Sequence, residues 1–105
     1  MKNLEKEIKK NLDQLLDKKY FTYFLFGSRT KNNFRYNSDY DIWIWAPKKI
    51  DLNIILKVRR ILKENIDRPI DIVDFTRVDK EFKNLALKNI KLWNKGKDWK
   101  RLLIN

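Results

Sequence analysis

Cysteine and histidine are both missing from this 105-residue chain. Without cysteine there is no disulfide, no thiolate nucleophile and no zinc–thiolate site. Without histidine there is no imidazole base, no imidazole metal ligand and no His-containing triad. Any catalysis has to run on carboxylates, hydroxyls, Lys, Arg or a bound metal. Glycine and proline occur only twice each, which leaves no room for a long flexible linker. No apolar run approaches the roughly 20 residues that span a bilayer. Residues 1–10 are charged and lack the apolar core of a signal peptide. A cytoplasmic protein with no membrane attachment is the expectation.

What is present reads as one globular domain over residues 1–105, with 43% hydrophobic and 37% charged residues. There is no internal repeat and no low-complexity block. The formal net charge is +11. A basic surface attracts polyanions such as nucleic acid or a triphosphate. The abundance of Lys, Asn and Ile also fits AT-rich coding, so the placement of charge matters more than its total.

Residues 3–18 have helical spacing, with Leu4, Ile8, Leu12, Leu15 and Leu16 on one stripe. Residues 20–26 are aromatic-rich and suit a buried strand that ends at Gly27-Ser28. Residues 29–38 are polar and basic, a short helix and a loop. Residues 39–45 predict a second strand, stopped by Pro47. A helix is predicted over 51–65, with Asp51 as its cap and Ile54, Ile55, Val58, Ile61 and Leu62 as its apolar face. Residues 69–75 predict a third strand. Residues 79–93 predict a further helix with Phe82, Leu85, Ala86, Ile90 and Trp93 inward and Gly96 as its stop. A last short turn follows from Asp98. This order describes a small α/β (α+β) domain, a mixed sheet of about three or more strands flanked by helices.

The sharpest feature is Gly27-Ser28, ten intervening residues, then Asp39-Tyr40-Asp41. Alternate strand residues share a face, so Asp39 and Asp41 project together. Two carboxylates on one face repel and raise each other's proton affinity. A hard cation such as Mg²⁺ relieves this and completes its shell with water or phosphate oxygens. Singly, Asp39 can be a turn residue and Asp41 an exposed strand position. Together, at the mouth of Ile42-Trp43-Ile44-Trp45, they need a partner. Gly27 lets the backbone approach a ligand closely, and the amides that follow suit a phosphate. The third piece is Asp71, flanked by aliphatics in Pro69-Ile70-Asp71-Ile72-Val73. Asp74 is its rival and points to the opposite face. Asp71 is preferred, because Asp74 sits at the strand's end, where an exposed residue is ordinary.

Gly-Ser, the ten-residue gap, Asp-x-Asp and a later strand Asp resemble the polymerase beta-like nucleotidyltransferase superfamily. Ser38-Asp39-Tyr40-Asp41-Ile42 and the short length most resemble its minimal nucleotidyltransferases, which are often paired with a helical HEPN-domain partner in toxin–antitoxin modules. The resemblance implies that fold and a transfer of AMP from ATP to a hydroxyl of the partner, with this chain as antitoxin. It implies that Asp39, Asp41 and Asp71 are catalytic and bind two Mg²⁺ ions, or Mn²⁺ in their place. It further implies that Gly27 and Ser28 hold the β- and γ-phosphates, with Arg29 beside them. Where relatives often carry small residues after Gly-Ser-Arg, this chain has Thr30-Lys31-Asn32-Asn33-Phe34.

Two other readings stand beside this one. The net charge also suits transfer to tRNA or another RNA. A chain that neutralises its partner by contact alone, or binds RNA without chemistry, is the non-catalytic alternative. Trp43 and Trp45 are expected in the core and Trp93 at the core or an interface. Trp99, between Lys97 and Lys100, is the candidate for an exposed stacking contact. A domain of this size has little room for an acceptor-binding lobe, so a partner protein or a second copy of the chain is expected to supply it.

Overall fold

The computed structural model describes residues 3–26 and 40–103. Helix α1 spans Leu4–Leu15, strand β1 Thr22–Phe26 and strand β2 Tyr40–Trp45. Helix α2 spans Leu52–Asn65, strand β3 Ile70–Asp74, helix α3 Lys80–Ala86 and strand β4 Ile90–Asn94. Short 3-10 turns cover Phe75–Arg77, Leu87–Asn89 and Trp99–Leu103.

The two long helices begin where a side chain can satisfy their free amides. Asn3 accepts from the Lys6 amide at 3.2 Å, and Asp51 accepts from the Asn53 amide at 2.9 Å. Each helix buries one stripe: Ile8 and Leu12 from α1, and Ile55, Val58 and Leu62 from α2. Every such side chain removed from water contributes about 1.5–3 kcal/mol.

The strands lie in the order β3-β2-β1-β4. β1 is antiparallel to both β2 and β4, whereas β2 and β3 are parallel and joined through α2. Both faces of the sheet are covered. Tyr23, Leu25, Ile42, Ile44 and Ile72 pack with the stripes of α1 and α2. Phe24, Trp43 and Trp45 pack with Phe75 and Leu102 on the other face. Burial on two sides explains why these strands read as unbroken apolar runs rather than alternating ones. Trp43 and Trp45 are core residues, as expected, and Trp93 packs partly buried against the α1–α2 side.

Two polar groups inside this packing are paired. The Tyr23 hydroxyl donates to Asp13, whose other oxygen meets Lys9 at 3.1 Å. Burial acts to raise the Asp13 pKa, but the Tyr23 hydrogen bond and the lysines outweigh it and hold the carboxyl below its ordinary range. On the open edge of β3, the Arg59 guanidinium donates twice to the Ile72 carbonyl, at 3.2 and 2.9 Å. A side chain that occupies an edge carbonyl blunts pairing with another strand.

The expected helix over 79–93 is corrected. It ends at Ala86, and residues 90–94 form β4. Ile90 and Trp93 fit helical spacing, but Ile90-Lys91-Leu92-Trp93 also alternates. The outer edge of β1 needs a hydrogen-bonding partner, and that need decides between the two periods. Phe82, expected inward, is 44% exposed. The side chains of Leu85 and Ala86 lie outside the described residues. Gly96 is not a helix stop. A Cβ there would lie 2.4 Å from the Phe21 carbonyl oxygen, and the Gly96 amide donates to the buried Thr22 hydroxyl at 2.9 Å. Only glycine permits this approach of two backbones.

Candidate functional site

The sheet topology brings two acidic side chains together. Asp41 is the second residue of β2, and the parallel register pairs it with Asp71 of β3. Residues in register on neighbouring strands share a face and stand about 5 Å apart. Tertiary structure thus joins positions 41 and 71 in one acidic pair. Asp41 is partly buried and Asp71 is exposed on the outer strand. Burial raises the Asp41 pKa from 3.8 to about 6, and the Asp71 charge and a hydrogen bond with Asp71 add to the rise. The pair therefore holds a proton more tightly than an ordinary carboxylate. A hard divalent cation would take the proton's place, so oxygen donors of this kind and placement fit Mg²⁺ or Mn²⁺. Among the described residues, no group of three acidic side chains converges in space.

Phe26 of β1 is in register with Asp41, so one row across the sheet reads Phe26, Asp41, Asp71. The next row reads Phe24, Trp43, Val73. Phe26 and Tyr40 are the described residues that flank segment 27–39, and both stand at this end of the sheet. Gly27, Ser28, Arg29 and Asp39 lie outside the described residues.

Asp74 does other work. It is in register with Ile44, on the opposite face from Asp71. Its carboxylate accepts from the Thr76 amide at 2.9 Å, from the Thr76 hydroxyl and from Arg77 Nε at 3.0 Å. These contacts cap the turn at Phe75–Arg77. Trp99 is half-buried, with Lys95 Nζ 4.8 Å from the centre of its ring. An open groove of about 870 Å³ follows the outer edge of β3 to Asp71, and Arg59, Lys63 and Arg68 are among its lining.

An aromatic cluster adjoins the carboxylates. Trp43 contacts Phe26 at 4.7 Å and Phe75 at 4.9 Å between ring centres, and Phe82 stacks on it at 5.5 Å and 5°. Among the described residues, nothing accepts a hydrogen bond from the buried Trp43 indole N–H. Sequence reasoning missed Phe82 as a site neighbour. Its helical spacing marks it as core, and no local signal says that its outer face stays open.

The family model for polymerase beta nucleotidyltransferases matches residues 4–98. No curated protein matches the chain significantly. Solved structures share the fold. One chain of a toxin–antitoxin complex with AMP-PNP is 24% identical, with a TM-score of 0.74 over 95% of this chain and 81% of that one. A toxin–antitoxin variant carrying two Asp→Glu substitutions is 22% identical, with a TM-score of 0.74 over 95% and 81%. A complex from Shewanella oneidensis, a tri-AMPylated HEPN toxin with its MNT antitoxin, gives 20% identity and a TM-score of 0.66 over 95% and 81%.

Proposed function

This chain belongs to the polymerase beta nucleotidyltransferase family, and we propose that it transfers AMP from ATP to a hydroxyl of a HEPN-domain partner, acting in the cytoplasm as the antitoxin of a two-component module. The observation that carries this reading is the register pairing of Asp41 with Asp71, with the Asp41 pKa raised to about 6. The similar complexes support it: one holds AMP-PNP and another a tri-AMPylated HEPN toxin.

In this reading Asp39, Asp41 and Asp71 hold the divalent cations. The cations would neutralise charge on the phosphates and lower the pKa of the attacking hydroxyl. Gly27 and Ser28 grip the terminal phosphates through backbone amides and a hydroxyl, and Arg29 adds positive charge. The acceptor oxygen bonds to the α-phosphorus, the bond from that phosphorus to the β-phosphate breaks, and pyrophosphate leaves. Asp71, the exposed member of the pair, accepts the hydroxyl's hydrogen bond, orients it and takes up its proton as the oxygen attacks. Positioning and electrostatics supply most of the rate in such a site, which explains how a chain without histidine can work.

The test is incubation with labelled ATP, Mg²⁺ and the HEPN partner. Label should appear on the partner and vanish with Asp39→Ala or Asp41→Ala. Equal labelling by those variants would overturn the assignment. The net charge of +11 favours a second acceptor, tRNA, and label on tRNA in place of the protein would select it. A wild-type chain that fails to bind MgATP in calorimetry yet still silences its partner would act by contact alone.

A further inference from the structure

Phe82 is the residue beside the carboxylate pair that the proposed chemistry leaves without a task. One face of its ring lies parallel to Trp43, at 5.5 Å and 5°. It also approaches Phe26, at 6.5 Å between ring centres. Phe26 stands in the row of Asp41 and Asp71, and Trp43 is two positions along the strand from Asp41, about 7 Å away. Phe82 therefore overlies the boundary between the acidic row and the aromatic row.

Phe82 is 44% exposed, whereas Trp43, on which its ring stacks, is 4% exposed. The Phe82 ring is thus a flat apolar face on a rigid backing. Among the described residues, the large exposed apolar side chains are Phe82, Leu52, Leu56 and Leu103. Leu52 and Leu56 belong to α2, which packs on the opposite face of the sheet. Leu103 lies in the C-terminal turn next to Leu102, at the end of the cluster that holds Trp45. A single heteroaromatic ring needs only one flat apolar face, and a base offers a π-face whatever its hydrogen-bonding edge.

We propose that the open face of Phe82, backed by Trp43, is where the nucleobase of the triphosphate stacks, making the site prefer purines by ring area rather than by reading the base edge. This rests on the reading of Asp41 and Asp71 as the triphosphate–metal end of the same site. Trp43, which backs the shelf, is about 7 Å along β2 from Asp41, on the same face of the sheet.

The test is calorimetry on the full chain in Mg²⁺, with ATP, CTP and inorganic tripolyphosphate as ligands, for wild type, Phe82→Ala and Phe82→Tyr. Phe82→Ala should weaken ATP binding by about tenfold or more and change tripolyphosphate binding by less than about twofold. Phe82→Tyr should match wild type. The preference for ATP over CTP should disappear in Phe82→Ala. Unchanged ATP affinity in Phe82→Ala, or a parallel loss of tripolyphosphate binding, overturns the stacking assignment. So does wild-type protein that binds tripolyphosphate as tightly as ATP, and that result leaves the phosphate end intact. Wild-type protein that binds none of the three ligands overturns both readings.

Discussion

Replacing Asp41 with Asn should make the metal-free protein more stable, not less. The carboxyl is raised from 3.8 to about 6 in the folded chain, and in the unfolded chain it returns to its ordinary value. Between these values the folded state holds the proton that the unfolded state has released. Stability therefore falls as pH rises through that window. The full shift corresponds to an upper bound of about 3 kcal/mol. Asp41 is only partly buried, and solvent screening reduces the figure to about 1–1.5 kcal/mol. Asparagine keeps the shape and can still hydrogen-bond Asp71, but it does not titrate.

The assay is thermal unfolding of both proteins in metal-free buffer at pH 3.5 and pH 7.5. At pH 3.5, below both values, the side chain is largely protonated in the folded and the unfolded chain, and the two melting temperatures should nearly coincide. At pH 7.5 the variant should melt about 5–10 °C higher. Saturating Mg²⁺ and ATP should reverse the order, because a ligand at a hundred times its Kd stabilises the folded state by about 2.7 kcal/mol. A wild-type melting temperature that does not fall relative to the variant's over this interval, or a variant no more stable at pH 7.5, would refute the description of the pair.

The two strand aspartates should separate cleanly. Asp74→Ala removes the cap of the turn at Phe75–Arg77 and should cost about 1–2 kcal/mol in denaturant unfolding, with MgATP affinity retained. Asp71→Ala should do the converse, and loss of MgATP binding in both would show that the turn and the site are not independent. Gly96→Ala forces a methyl carbon against the Phe21 carbonyl and should cost about 3 kcal/mol. An unfolding midpoint within error of wild type would mean that residues 96 and 21 are not in contact.

Much of the fold is legible in the residues themselves. The stripes of α1 and α2 follow from their helical period, the Asp51 cap from its residue type and place, and the first three strands from short aromatic and aliphatic runs. The failure at β4 has a particular cause. Residues 79–93 satisfy a helical period, and the short Ile90–Trp93 alternation is visible only once β1 is known to have a vacant edge. Gly96 fails for the same reason, because glycine as a helix stop and glycine as a close backbone contact look identical in one dimension. Phe82 reads as core because its spacing reports which face of the helix it occupies, not whether anything covers that face.

The chain alone determined which chemistry was available: carboxylates without imidazole or thiol, a Gly-Ser step, and an Asp-x-Asp repeat whose spacing of two is the period of a strand. These are local properties, set by covalent structure and by the geometry of a single strand. Only the tertiary structure decided that Asp71 rather than Asp74 stands beside Asp41, that the pair binds its proton tightly, and that Phe82 lies stacked on Trp43 with its outer face open. Each of these depends on the register between β2 and β3 or on the packing of Phe82 from α3 against β1 and β2. Register and packing are settled by the burial of whole faces at once, which no short stretch of sequence encodes.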